Sequence, residues 1–186
     1  MTDAPTATRI APSDRETTQP LLNIFRTLSR NRDLYKAFLA LGGHLLRGEA
    51  LPAREREIVI LRAGWNCASE YEFGQHTVLG AAAGLSEQEI AALAEAAAVD
   101  WSEDDRALIA MVDELCSADV VGEGTWQALS HRWNDEQLLE LLVLAGFYRL
   151  VSGLLNSAGV ALEATTPGWP PAAQPRRRAP RDGEPS

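Results

Sequence analysis

Glu57, Glu72 and His76 are the residues whose types and spacing suggest chemistry. Glu72 and His76 stand four apart, which on a helix places them on one face. A carboxylate one turn from an imidazole raises its pKa and selects its tautomer, which suits it to trade a proton near neutral pH. Glu57 directly precedes the apolar run Ile58-Val59-Ile60-Leu61. A charge at the lip of a core is either ion-paired, with Arg54 and Arg56 close in sequence, or functional. Each residue also has a plainer role. Ser69-x-x-Glu72 has the spacing of a capping box, in which Glu72 only closes a helix start, and a lone helical His is usually packing. Two carboxylates and one His could hold a divalent ion. Without an H-x-x-x-H or E-x-x-H repeat, no metal is assigned.

The elements that must position these groups lie in residues 51–76, LPAREREIVILRAGWNCASEYEFGQH. Pro52 reads as the N1 residue of a helix over 52–66. Ser69 opens a second over 69–83, which Gly84 closes as a C′ glycine. Upstream, Leu21, Leu22, Phe25 and Leu28, then Leu34, Phe38, Leu41 and Leu45, recur at helical steps, with Gly42-Gly43 as a close-packing point or a kink and Gly48 as a stop. Downstream, Ser86 with Glu89 forms a capping box, Ser102 starts a helix that Val120-Val121-Gly122 breaks, and Thr125 to Trp133 is a short helix. Asn134, with Gln137 three residues on, caps the last helix. That helix is apolar nearly all round from Leu138 to Phe147, so it should be buried on most sides and face a second subunit. Glu140 within it needs an ion-pair partner, and Asn156 could reach a pocket. No strand or internal repeat is visible, so the fold class is all-α.

Residues 1–17 read as a flexible N-terminal arm, 18–164 as the helical domain, and 165–186 as a disordered Pro/Arg-rich tail. The 186 residues carry a net charge of −9, which argues against nucleic acid as a partner because counterion release needs basic groups. No signal-like segment or charge-free apolar span is present, so a cytoplasmic protein away from membranes is expected. Cys67 and Cys116 are the only cysteines and sit in unrelated contexts, so no disulfide framework follows. His44 and His131 lack a nearby carboxylate and read as structural.

Arg56-Glu57-Ile58-Val59-Ile60-Leu61, Tyr71-Glu72-Phe73-x-x-His76 and Gly84-Leu85-Ser86 followed by acidic residues resemble the carboxymuconolactone decarboxylase family, which also holds the alkylhydroperoxidase D-like proteins. The resemblance covers residues 20–164. It implies an all-helical bundle assembled as a homo-oligomer, a trimer or hexamer. In the peroxidase branch a glutamate, a C-x-x-C pair and a histidine form the redox site. Glu57 and His76 fall at the glutamate and histidine, but Ser69 and Glu72 stand where the cysteines would be, and Cys67 is two residues early. Without thiols there is no nucleophile for a peroxide. The decarboxylase branch needs no cofactor. It implies a small organic acid or lactone as substrate, His76 tuned by Glu72 and Glu57 as proton donor, and Arg62, Arg54 and Tyr71 as substrate-binding residues. A non-catalytic oligomeric scaffold is the alternative, and it would leave no cavity beside His76.

Overall fold

The computed structural model describes residues 7–13 and 21–173. Eight helices follow one another without a strand among the described residues: α1 (Asn23–Leu28), α2 (Arg32–Arg47), α3 (Ala53–Asn66), α4 (Glu70–Ala82), α5 (Glu87–Leu93), α6 (Glu103–Ala118), α7 (Glu123–Arg132) and α8 (Asp135–Ala158). Helix starts follow the local chemistry. Ser86 and Asn134 close capping boxes with Glu89 and Gln137, and the Ser102 hydroxyl accepts from the Asp105 N–H. Gly84 ends α4 at φ 100°. Pro52 is the N-cap of α3 rather than its first helical residue. α6 stops earlier than the Val120-Val121-Gly122 break, because Asp119 turns left-handed at φ 60°.

α3 is the hub. Ile58, Val59, Ile60 and Leu61 are fully buried, enclosed by α4, α5, α6 and α8. A helix surrounded in this way needs partners for its buried charges. Arg54 forks Asp105 at 2.8 and 3.1 Å and also meets Glu89. Glu55 pairs with Arg132 of α7. Arg62 forks Asp113 at 2.6 and 2.9 Å. Arg54 and Arg62 are eight residues apart, as are Asp105 and Asp113, so α3 and α6 run parallel with the two forks about two turns apart.

Within one chain α8 is buried on one side. Leu138, Leu141, Leu144, Ala145 and Tyr148 are buried, but Leu139, Val143 and Leu150 are 65, 46 and 60 % exposed. Composition is apolar all round, yet the bundle covers only one side of the helix. α8 is the helix among the described residues long and apolar enough to cross a bilayer, and half of its most apolar window is buried in the body. Glu140 reaches His44 of α2 at 3.7 Å, so His44 does have a carboxylate neighbour.

Both flanks touch the body. In the expected arm, the Arg9 and Ile10 N–H groups donate to the Ala158 carbonyl at 2.8 and 3.1 Å. Beyond α8, in the part of the expected tail that is described, Trp169 lies edge-on to Trp65 and tilted on Phe73, with centroids 5.4 and 5.1 Å apart. The chain passes so close to α4 at Pro167 that a side chain on Gly74 would strike the Pro167 carbonyl. Arg176-Arg177-Arg178 lies outside the described residues.

Candidate active site

Glu57, Glu72 and His76 converge. The His76 ring lies between the two carboxylates, with Nδ1 2.7 Å from Glu57 Oε2 and Nε2 3.6 Å from Glu72 Oε2. The three are 4, 4 and 5 % exposed. A carboxylate only accepts, so the Nδ1 proton is donated to Glu57 and Nε2 is turned toward Glu72. The local folding explains this. Ser69 is the N-cap of α4, but its hydroxyl makes no cap bond and is buried without a hydrogen-bond partner. Glu72 is therefore not the capping-box partner its spacing allows. Its carboxylate is directed along the helix to His76 instead.

Burial, reinforced by the charge of Glu57 and opposed by His76, pushes the Glu72 carboxyl up to about 7. Burial pulls the His76 pKa down, but the hydrogen bond to Glu57 and the charges of both glutamates outweigh it, and the net shift is upward. Tyr148 of α8 stands edge-on to the His76 ring at 5.0 Å and 87°. Its phenol is raised by burial and by the two glutamates, which keeps it a neutral wall.

These groups face a cavity of about 380 Å³ between α1, α2, α4 and α8. Phe25, Phe38, Leu46, Leu79, Phe147 and Val151 make its apolar walls; Tyr71, Glu72, Gln75, His76 and Tyr148 supply polar groups; Arg47 is its cationic residue. Glu57 does not line the cavity and is joined to it by its contact with His76. Tyr71 does line it. Its hydroxyl donates to Glu163 Oε1 at 2.7 Å and accepts from the Ile24 N–H at 3.2 Å, and burial with Glu163 raises its pKa. Glu163 also takes the Asn23 N–H and the Gln75 amide, tying the start of α1 and the segment after α8 to this wall.

Arg62 and Arg54, expected at the substrate, do not line the cavity. Arg62 lies five residues beyond Glu57, about 140° round the helix, and is spent on Asp113, the Leu93 carbonyl and Glu95. Arg54 is spent on Asp105 and Glu89. Asn156 donates to the Cys67 carbonyl at 2.9 Å and does not reach the cavity. Cys67 and Cys116 are not in unrelated contexts. Their thiols are in hydrogen-bonding contact, which with burial pushes the Cys116 thiol up. Neither lines the cavity. Arg47, Gln75, Tyr148 and Glu163 were not singled out from sequence. Tyr148 gives no local signal, being one apolar-side residue of an apolar helix. Among the described residues no cluster of three or more His, Cys, Asp or Glu has metal-holding geometry.

The fold belongs to a known class. Residues 32–114, from α2 through most of α6, match the carboxymuconolactone decarboxylase family model. This bears out the resemblance carried by Arg56–Leu61 and Tyr71–His76. The fold is also that of solved AhpD-like proteins. An Agrobacterium tumefaciens protein of unknown function, described as an antioxidant defence AhpD candidate, superposes with TM-score 0.67 at 19 % identity over 73 % of this chain and 94 % of that one. A cysteine-to-alanine variant of the debrominase Bmp8, bound to 2,3,4-tribromopyrrole, gives 0.72 at 15 % identity over 86 and 94 %. A peroxidase-related protein from Ralstonia eutropha gives 0.66 at 23 % identity over 76 and 77 %. No curated protein matches the sequence.

Proposed function

We propose that this protein is a cofactor-free lyase or isomerase that moves a proton on a small, unsaturated, carboxylated lactone or related acid. The observation that carries this reading is the buried Glu57–His76–Glu72 relay opening on an apolar cavity. In a decarboxylation the bond from a ring carbon to CO2 breaks, and its electron pair enters the conjugated system of the lactone carbonyl. The carbon that receives the pair needs a proton. Glu72, raised to about 7, is half protonated near neutral pH and lines the cavity, so it is the donor. His76 Nε2 returns a proton to Glu72, and Glu57 stabilises the imidazolium that forms in passing. One proton is taken from solvent for each CO2 released. The apolar walls also favour the loss of charge from the departing carboxylate. The debrominase neighbour holds a five-membered ring, the ring size of such a lactone.

The cavity beside His76 disfavours a purely scaffolding role. Ser69 and Glu72 at the redox-cysteine positions disfavour peroxidase chemistry. The test is CO2 release and ultraviolet loss from 4-carboxymuconolactone with wild type, His76→Ala and Glu72→Gln. Wild-type turnover that collapses in both variants supports the reading. Turnover untouched by either variant, or none in the wild type, overturns it.

A further inference from the structure

The cavity has acid–base groups on one wall and a single cation, Arg47, among its lining residues. Arg47 is solvent-exposed and, like Arg56, makes no ion pair with another described residue, whereas Arg54, Arg62, Arg132 and Arg149 each have a carboxylate partner. Its placement depends on Gly43, one turn back on α2. A side chain at Gly43 would strike the Arg47 Nη2, so the bare backbone there is what lets the guanidinium fold back along α2 over the cavity wall. The neighbouring Gly42 does the same for the opposite wall: a Cβ there would sit 3.1 Å from the Phe147 ring. The Gly42-Gly43 pair thus shapes the cavity on one side for an apolar ring and on the other for a cation.

We infer that Arg47 is the anion seat of this cavity, and that the ligand it takes is a small ring carrying a carboxylate that is retained through the reaction. A carboxylate about to leave as CO2 gains nothing from a salt bridge, which would stabilise the ground state. It belongs against apolar walls. A second, spectator carboxylate is what a guanidinium can hold in both ground and transition states, bidentate if geometry allows. Arg47 therefore selects substrate and contributes to KM, while Glu72 and His76 set kcat. This assignment rests on the cavity being the substrate site proposed above.

The test is equilibrium binding by titration calorimetry of sodium 2-furoate and of its neutral counterpart 2-furamide, which needs no turnover. Wild type is expected to prefer furoate by about tenfold, the worth of one charge-assisted contact. Arg47→Met is expected to erase that preference and leave furamide affinity unchanged, and Arg47→Lys to keep part of it. Gly43→Ala provides an independent check. Alanine favours the helix and only the far end of Arg47 must move, so the melting temperature should rise while the furoate preference falls. Equal furoate affinity in Arg47→Met and wild type overturns the inference, as does a wild type with no preference for furoate, whether both probes bind or neither does. A furoate preference without turnover of 4-carboxymuconolactone would sink the lyase reading alone. Turnover with KM unchanged in Arg47→Met would sink the Arg47 assignment alone.

Discussion

His76 Nδ1 and Glu57 Oε2 meet at 2.7 Å across the α3–α4 contact, nineteen residues apart in sequence and both buried. This pair fixes which imidazole nitrogen is turned toward Glu72. Replacing Glu57 with Gln keeps an acceptor oxygen but removes the charge that stabilises an imidazolium. Activity on the lactone should fall by about 100-fold or more, in the range of a lost general acid–base contribution. The His76 titration, followed by ring-proton NMR, should move down. An unchanged His76 titration would show that Glu57 does not tune it.

Glu72 links the site to stability. Its folded pKa of about 7 lies above the ordinary carboxyl value of 4.5, so the folded protein holds this proton more tightly than the unfolded chain. The stability from that proton is complete below pH 4.5 and is lost as pH rises toward 7. His76, also raised, continues the loss above its ordinary 6.5. Glu72→Gln should remove the lower part of this slope. It should be more stable than wild type at pH 8, by up to roughly 3 kcal/mol, with little difference at pH 4. Denaturant midpoints at the two pH values measure this, and a variant equally destabilised at both would contradict it.

Arg62 should behave as framework. Arg62→Ala leaves Asp113, which is 39 % exposed and keeps the Asn66 amide, without its fork, and the loss is expected to be about 1–2 kcal/mol of stability, read from urea unfolding. Where the variant is folded, KM should be unaltered. A raised KM with intact stability would return Arg62 to the substrate.

Trp169 tests whether the segment after α8 belongs to the folded unit. It packs on Trp65 and Phe73 while half-buried. Trp169→Ala is expected to cost roughly 2 kcal/mol, less than a fully buried tryptophan. Gly74→Ala, which collides with the Pro167 carbonyl, should release the same segment and expose it to protease. Unchanged cleavage kinetics would speak against this packing.

The contact between the Cys67 and Cys116 thiols predicts that oxidised glutathione forms one disulfide within a single chain. Two exchange steps would each release one reduced glutathione. Peptide mapping should find Cys67 linked to Cys116. Two separate glutathione adducts would contradict the contact.

How much of this was legible from the chain can be argued residue by residue. The relay was readable because Glu72 and His76 are joined by local helix geometry, and because Glu57 stands at the edge of a fully apolar run that has to be buried beside them. The helix starts at Ser86, Ser102 and Asn134 were readable for the same local reason. Caps also misled: Ser69 and Glu72 have capping spacing, yet the burial of both sends Glu72 elsewhere. Arg54 and Arg62 could not be assigned from sequence, since a few residues' offset from Glu57 rotates a side chain to another neighbour, and which neighbour stands there is a matter of packing.

The sequence by itself determined the all-helical class, the order of the helices and the members of the Glu57, Glu72 and His76 cluster, because these rest on periodicity and spacing along one or two turns. Only the tertiary structure decided that Arg54 and Arg62 clamp α6, that Arg47 borders the cavity, that Tyr148 walls His76, that Cys67 meets Cys116, and that one face of α8 is left uncovered. Those relationships join residues far apart in the chain, and their side-chain directions are fixed by which helices pack together.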